Sequence, residues 1–157
     1  MDMKDMQNRL IKNRLLKTAE EISDFEDTIA MILEMNDINH IEVLCLGFDD
    51  LTEQHEVMFG LIHAIEHYYM IGNPEVYLRK FAQSVRRMLP HAEEWSEILH
   101  YRILNNERSR TMYKKIVGEL DRETLDIIVS QLTKIKNDDP EQFETSVNYV
   151  LQPEVNT

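Results

Sequence analysis

The chain has 157 residues with 43% hydrophobic and 29% charged side chains, which predicts one globular domain over residues 1–157 and excludes a disordered chain. Four glycines, four prolines and one cysteine exclude a turn-rich β fold, an internal disulfide and a cysteine-based metal site. The net charge of −12 excludes the basic surface of a nucleic-acid binder, and no apolar stretch reaches the roughly 20 residues of a membrane span.

Apolar residues recur at helical spacing along almost the whole chain, which predicts an all-α fold. Thr18, Asp121 and Asp139 are the expected N-caps of three helices, and Pro74 suits the first turn of another. In chain order, helices are predicted over residues 3–16, 18–34, 52–71, 74–89, 90–105, 107–119, 122–136 and 140–151, with a short one over 38–46. Seven or eight longer helices joined by tight turns imply antiparallel neighbours, arranged as a HEAT-like stack of helical hairpins or as an irregular bundle.

The negative charge is concentrated in residues 18–78, called the acidic block below. This block contains fourteen Asp or Glu and no Lys or Arg. On the predicted helix over residues 18–34, an apolar sector faces the core and an acidic ridge lies opposite it, formed by Glu20, Asp24, Asp27 and Glu34. Such a field attracts a basic protein and accelerates its encounter, although it also serves as a solubilising surface.

The predicted helix over residues 52–71 contains His63, Glu66 and His67 in the pattern H-x-x-E-H, the inverted zinc-protease signature. Histidines four residues apart lie on one helical face and are able to share a zinc ion. The pattern is short, however, and this chain offers neither the length nor the strands of those enzymes. Because the chain also lacks a glycine-rich phosphate loop and a recognisable Ser/His/Asp arrangement, we expect no enzyme, no catalytic residue, no metal and no cofactor.

A projection of the same helix separates a core side from a mixed outer side. The core side holds Val57, Met58, Leu61, Ile62, Ile65, Tyr68 and Tyr69. The outer side holds Glu53, Glu56, Phe59, Gly60, His63, Glu66, His67 and Met70. Acids and histidines around an isolated phenylalanine are typical of an interface with an aromatic anchor. Alternatively, the helix is packed on both sides and Phe59 and Met70 are buried in a second contact.

The predicted helix over residues 90–105 carries Trp95, the only tryptophan, on an apolar side shared with Ile103. We therefore expect Trp95 in the core. Arg102 points toward that side and must find a carboxylate, because an unpaired buried charge is very costly. We predict a structural ion pair with an acid of residues 49–66.

Two stretches of the chain resemble the immunity protein 30 family. The first comprises Gly47-Phe48-Asp49-Asp50, Thr52-Glu53, His55-Glu56-Val57-Met58-Phe59-Gly60-Leu61-Ile62-His63 and Ile65-Glu66, and the second comprises Glu94-Trp95, Glu97 and Tyr101-Arg102-Ile103-Leu104-Asn105. They occur in the family's order within about half of the chain. The resemblance implies an all-helical antidote of a bacterial polymorphic toxin system, which remains in the cytoplasm of the producing cell and binds its cognate toxin domain.

The resemblance and the acidic block together predict a toxin-neutralising protein whose partner is a basic cognate toxin domain, with neither nucleic acid nor a membrane as partner. The predicted contact residues are Asp49, Asp50, Glu53, His55, Glu56, Phe59, His63, Glu66 and His67. The acidic ridge is the alternative contact surface. A competing structural interpretation is that Asp49 and Asp50 cap helices and pair with Arg102. Two other functions stay open, a helical-repeat adaptor without a toxin partner and a metal-dependent hydrolase.

Overall fold

The computed structural model describes residues 2–153, which form nine α-helices and two short 3₁₀ segments and contain no strand. The α-helices are α1 (Met3–Asn13), α2 (Ala19–Glu34), α3 (Ile41–Cys45), α4 (His55–Ile71), α5 (Pro74–Ser84), α6 (Glu93–Leu104), α7 (Glu107–Val117), α8 (Arg122–Asp138) and α9 (Pro140–Leu151). The all-α prediction is confirmed. The count exceeds the predicted seven or eight longer helices by the five-residue α3, which lies within the short helix predicted over residues 38–46.

Local capping explains where several helices begin. Thr18 accepts a hydrogen bond from the backbone N–H of Glu21 at the start of α2, and Asp121 and Asp139 cap α8 and α9 in the same way. These three predicted N-caps are confirmed, and Pro74 occupies the first turn of α5 as predicted. A side-chain oxygen at this position satisfies a backbone donor that the helix itself leaves unpaired.

The predicted first residues of two helices are wrong by three positions. Helix α4 begins at His55 rather than at 52, because Thr52 and the residues after it form a turn in which the Thr52 hydroxyl accepts from the N–H of Gln54. Helix α6 begins at Glu93 rather than at Pro90, and its own N-cap residue, Ala92, has no side-chain oxygen. The N-terminal donors of α6 are satisfied by a residue from a distant part of the chain, which periodicity does not reveal.

The helices pack in two rows around a continuous apolar core. Each odd-numbered helix contacts the next odd-numbered one, from α1 to α9, while α2 packs on α4 and α6 packs on α8. The core extends from Met6 in α1 to Val150 in α9, an arrangement consistent with a helical bundle. Helices α4 and α6 do not pack closely against each other, so the second row is interrupted between them. No helix in the described part of the chain has the length and apolarity required to span a bilayer.

Candidate partner-binding surface

Helix α4 carries most of the predicted contact residues, and its two sides differ as the projection predicted. The buried side holds Met58, Leu61, Ile62, Ala64, Ile65 and Tyr68. Six exposed residues on the opposite side are called the α4 outer face below: Glu56, Phe59, Gly60, His63, His67 and Met70. Phe59 is 39% exposed and Met70 is 79% exposed. The alternative in which a second helix contact buries these two side chains is therefore wrong.

Exposed apolar side chains are frequent in the part of the chain that contains α4. Of the nine large apolar residues that are exposed between residues 2 and 153, five lie in or beside α4: Leu51, Phe59, Met70, Ile71 and Val76. Single exposed apolar residues are normal on a protein surface, whereas a local concentration rimmed by polar groups is typical of an interaction site. The α4 outer face therefore combines apolar area with charge.

An aromatic cluster supports the N-terminal part of α4. Trp95 of α6 is 5% exposed, which confirms its predicted core position. Its ring centroid lies 6.0 Å from that of Phe48, 5.9 Å from that of His55 and 5.2 Å from that of Phe59, the last two in edge-to-face geometry. Such pairs are favourable beyond the apolar area that they bury. Phe59 is thus held by Trp95 on one edge and reaches solvent on the other.

Asp49, a predicted contact residue, lies inside the fold. It is 7% exposed, and its carboxylate is 3.2 Å from the Arg14 Nε at the end of α1. It also accepts a hydrogen bond from the N–H of Leu51 at 2.9 Å, while Arg14 donates a second bond to the carbonyl of Leu46. The competing interpretation is correct in giving Asp49 a structural partner and wrong in naming Arg102 as that partner.

Asp50 caps α6. Its carboxylate accepts hydrogen bonds from the N–H groups of Glu94 at 3.1 Å and Trp95 at 3.3 Å, and its own N–H donates to the carbonyl of His91 at 2.9 Å. Burial raises the pKa of Asp50 above its usual range, although the two hydrogen bonds oppose that shift. The side chain is therefore part of the scaffold that joins the turn before α4 to α6.

The predicted ion pair of Arg102 is confirmed, and its partner is Glu66. The Arg102 Nε and Nη2 each lie 2.7 Å from one oxygen of the Glu66 carboxylate, a two-point geometry that favours the pair. The hydrogen bond to Glu66 raises the pKa of Arg102. The Arg102 side chain is 42% exposed rather than buried, because the pair bridges the gap between α4 and α6 near the surface.

A groove of about 670 Å³ lies beside this ion pair, between α4, α5, α6 and α7. Its floor is apolar and buried, formed by Tyr77, Leu78, Leu99 and Ile103. Its mouth is exposed and mostly polar, formed by His63, His67, Met70, Arg102, Asn105 and Asn106. The groove exists because α4 and α6 do not pack closely, which leaves α5 visible between them. Apolar floors with a few polar groups at the mouth are typical of binding sites.

The acidic block is partly neutralised by cations that come from outside it. Five pairs do this: Asp24 with Arg9, Glu42 with Arg87, Asp49 with Arg14, Glu66 with Arg102, and Glu75 with Lys115. The hydrogen bond from Arg9 lowers the pKa of Asp24, so the middle of the acidic ridge is an ion pair rather than a free carboxylate.

Other acids of the block are exposed and form no ion pair with a described residue. On the acidic ridge these are Glu20, Asp27 and Glu34, and next to the α4 outer face they are Glu53 and Glu56. Both candidate contact surfaces therefore retain negative charge. The second also presents two exposed apolar side chains, Phe59 and Met70, whereas the exposed Met35 lies only at the end of the ridge.

His63 and His67 of the H-x-x-E-H pattern lie on the exposed side of α4. Within residues 2–153, no group of three or more His, Cys, Asp or Glu side chains is placed to hold a metal ion. Glu66, the acid of the pattern, is bound to Arg102. His63 and His67 belong to the α4 outer face and to the groove mouth, and Glu66 lines the groove beside them.

Gly47 and Gly60 differ in how much space surrounds the position that a Cβ atom would take. A Cβ atom on Gly47 would lie 3.0 Å from the Leu61 side chain and 3.2 Å from Phe25, so a larger residue there would force its neighbours to shift. A Cβ on Gly60 would meet no atom within 4 Å. Glycine inside a helix costs roughly 1 kcal/mol relative to alanine. The fold therefore bears this cost at Gly60 without any internal need for it.

Several groove residues were missed by the sequence reasoning. Tyr77, Asn105 and Ser109 belong to α5, the end of α6 and α7. Their helical periodicity predicts only that they belong to helices. The available signal was indirect, since the second family-like stretch ends at Asn105, next to the groove mouth.

Comparison with known proteins identifies one family. The family model described as Immunity protein 30 matches residues 12–113. The matched part contains α2 to α6 and most of α7, and therefore the whole α4 outer face and every wall of the groove. No curated protein and no solved structure matches the chain.

Proposed function

Because the chain belongs to the immunity protein 30 family, we propose that it neutralises a cognate toxin domain of a bacterial polymorphic toxin system. It acts in the cytoplasm of the producing cell, by binding and without catalysis. The toxin domain is basic and docks on an acidic surface of this chain. Neither nucleic acid nor a membrane is a partner.

The observation that carries this proposal is that exposed carboxylates with no cation partner among the described residues lie beside exposed apolar groups. Glu53 and Glu56 precede Phe59 along the chain, and Met70 lies about 17 Å beyond Phe59 on the same helix, at 1.5 Å of rise per residue. Charges at an interface accelerate encounter and select the partner, while desolvated aromatic and aliphatic anchors supply most of the affinity. The α4 outer face offers both. The acidic ridge on α2 offers charge and one exposed apolar residue, Met35, at the end of the helix.

The predicted contact residues now divide into two groups. Seven of them lie on or beside the α4 outer face and remain proposed contacts: Glu53, His55, Glu56, Phe59, His63, Glu66 and His67. Asp49 and Asp50 are held by Arg14 and by the N-terminus of α6. Charge reversal at these two residues would disturb the fold, so it does not test binding.

The decisive experiment is co-expression with the toxin domain encoded beside this chain. Cells that express both proteins should survive, and the purified proteins should form a tight complex. Its association rate should fall about tenfold or more between low and high salt, because steering between opposite charges is screened by ions. Death of the co-expressing cells would refute the proposal.

Charge reversal then identifies the surface. The double variant Glu53→Lys/Glu56→Lys should lose salt-dependent association while its circular dichroism stays that of the wild type. Glu141→Lys/Glu144→Lys on α9 is a matched control, since both acids are exposed and form no ion pair with a described residue. If the first variant binds normally and Glu20→Lys/Asp27→Lys does not, the acidic ridge is the contact surface.

A further inference from the structure

The α4 outer face and the neighbouring groove together fit one kind of occupant. We propose that the toxin lays a basic segment along this face, brings its backbone close to α4 at Gly60, and inserts a large apolar side chain into the groove beside Met70. This inference rests on the proposed function and specifies how the partner is bound.

Gly60 supplies the argument for close approach. It lies in the interior of α4, is exposed, and has open space where its side chain would be. Glycine lets another backbone come nearer to a helix than any other residue does. Since no described residue occupies that space, it is open to an element of the partner.

The groove supplies the argument for an apolar anchor. Its buried floor includes Tyr77 and Leu99, and its volume of about 670 Å³ accommodates a large side chain. Met70 lies at the mouth and is 79% exposed. Its flexible and polarizable side chain is suited to pack over such a group. Anchors of this kind occupy desolvated pockets near the centre of an interface.

Charge selects the partner. A second copy of this chain would place one acidic block against another, and like charges facing each other oppose association. Arg102, the cation at the groove mouth, is already neutralised by Glu66, so the carboxylates of Glu53 and Glu56 dominate this side. A segment with Lys or Arg toward the Glu53 and Glu56 end of α4 and a large apolar residue toward the Met70 end satisfies both parts of the surface.

Gly60→Gln gives the sharpest test, because stability and binding should change in opposite directions. Glutamine is a better helix former than glycine, and its Cβ would meet no neighbour here, so the melting temperature should rise by about 3 °C. The rate of dissociation from the catalytically inactive toxin domain should nevertheless rise about tenfold or more. Gly118→Gln is the matched control, since Gly118 is an exposed glycine at the end of α7 whose Cβ would make only ordinary contacts. It should leave dissociation unchanged.

Met70→Glu tests the groove separately. It places a charge at the mouth without affecting the core, and dissociation should accelerate about tenfold because the apolar anchor loses its apolar contact. Association should not slow, since the added carboxylate also attracts a basic segment. Val129→Glu on α8, another exposed apolar position, should have no effect on binding.

The outcomes separate the two proposals. If wild-type protein neither protects cells nor binds the toxin domain, the proposed function fails. If wild-type protein binds and protects, and Gly60→Gln and Met70→Glu both dissociate at the wild-type rate, the function stands and this docking mode is wrong. Dimerisation of the free chain through α4, abolished by Gly60→Gln, would also overturn it.

Discussion

Asp50 and Trp95 are joined by a hydrogen bond of 3.3 Å between a carboxylate oxygen and a backbone N–H. The same carboxylate accepts from the N–H of Glu94 at 3.1 Å. Helix α6, which carries the only tryptophan, therefore receives its N-terminal cap from the turn before α4. This contact fixes the position of Trp95, and Trp95 in turn supports Phe59 on the α4 outer face.

Asp50→Ala should lower the free energy of unfolding by about 1 kcal/mol, the usual cost of losing a helix cap. Asp50→Asn keeps an acceptor oxygen and should cost less. Burial raises the pKa of Asp50, which means that the fold disfavours its charged form, so removal of the charge also removes that penalty. Urea unfolding near neutral pH measures both effects. Equal losses in the two variants would contradict a capping role.

Arg14→Ala should destabilise the fold more than Arg102→Ala does. Loss of Arg14 leaves the buried Asp49 without its cation, and an uncompensated buried charge costs about 3 kcal/mol. Loss of Arg102 leaves Glu66, which is 29% exposed and regains water, so the cost should stay below about 1 kcal/mol. Urea unfolding of the two variants compares them directly, and equal losses would show that Asp49 is solvated.

His100 should make the fold sensitive to acid. It is fully buried, and its Nδ1 lies 3.1 Å from the carbonyl oxygen of Ser96 while its Nε2 lies 2.8 Å from the hydroxyl of Tyr113. A carbonyl only accepts, so Nδ1 carries the proton and Nε2 accepts from Tyr113. Burial lowers the pKa of His100 from its ordinary 6.5 to about 4.

Between these two pH values the unfolded chain binds a proton that the folded chain does not. The contribution of His100 to stability is therefore complete above pH 6.5 and declines as the pH falls toward 4, by about 2 kcal/mol between pH 7 and pH 5. His100→Gln keeps a donor and an acceptor and should show a shallower loss over this interval in urea unfolding. A loss as steep as that of the wild type would exclude His100 as the cause.

Phe59→Ala should expose Trp95 to solvent. The two rings meet edge to face with centroids 5.2 Å apart, and Trp95 is 5% exposed. Removal of the phenyl ring should shift tryptophan emission to longer wavelength, increase quenching by acrylamide, and cost about 1–2 kcal/mol of stability because Phe59 is only partly buried. Met70→Ala is the control and should leave the emission unchanged. If Phe59→Ala also leaves it unchanged, Phe59 does not shield Trp95.

The helices, and the division of α4 into a buried and an exposed side, were predictable because they follow from local sequence patterns. Helical periodicity and N-caps such as Thr18 depend on residues within one or two turns. The start of α6 was not predictable in this way, since its cap, Asp50, is 44 residues away along the chain. The groove was missed for the same reason, because its walls come from four helices that only tertiary packing brings together.

The sequence by itself determined where along the chain the negative charge lies. Residues 18–78 contain fourteen Asp or Glu and no Lys or Arg. Only the tertiary structure decided which of those acids form an ion pair and which have no cation partner in the described part of the chain. Arg14 and Arg102, from outside the block, neutralise Asp49 and Glu66, whereas Glu56 has no cation among the described residues. The physical reason is that an ion pair requires a few ångströms of separation in space, and distance along the chain does not determine that separation.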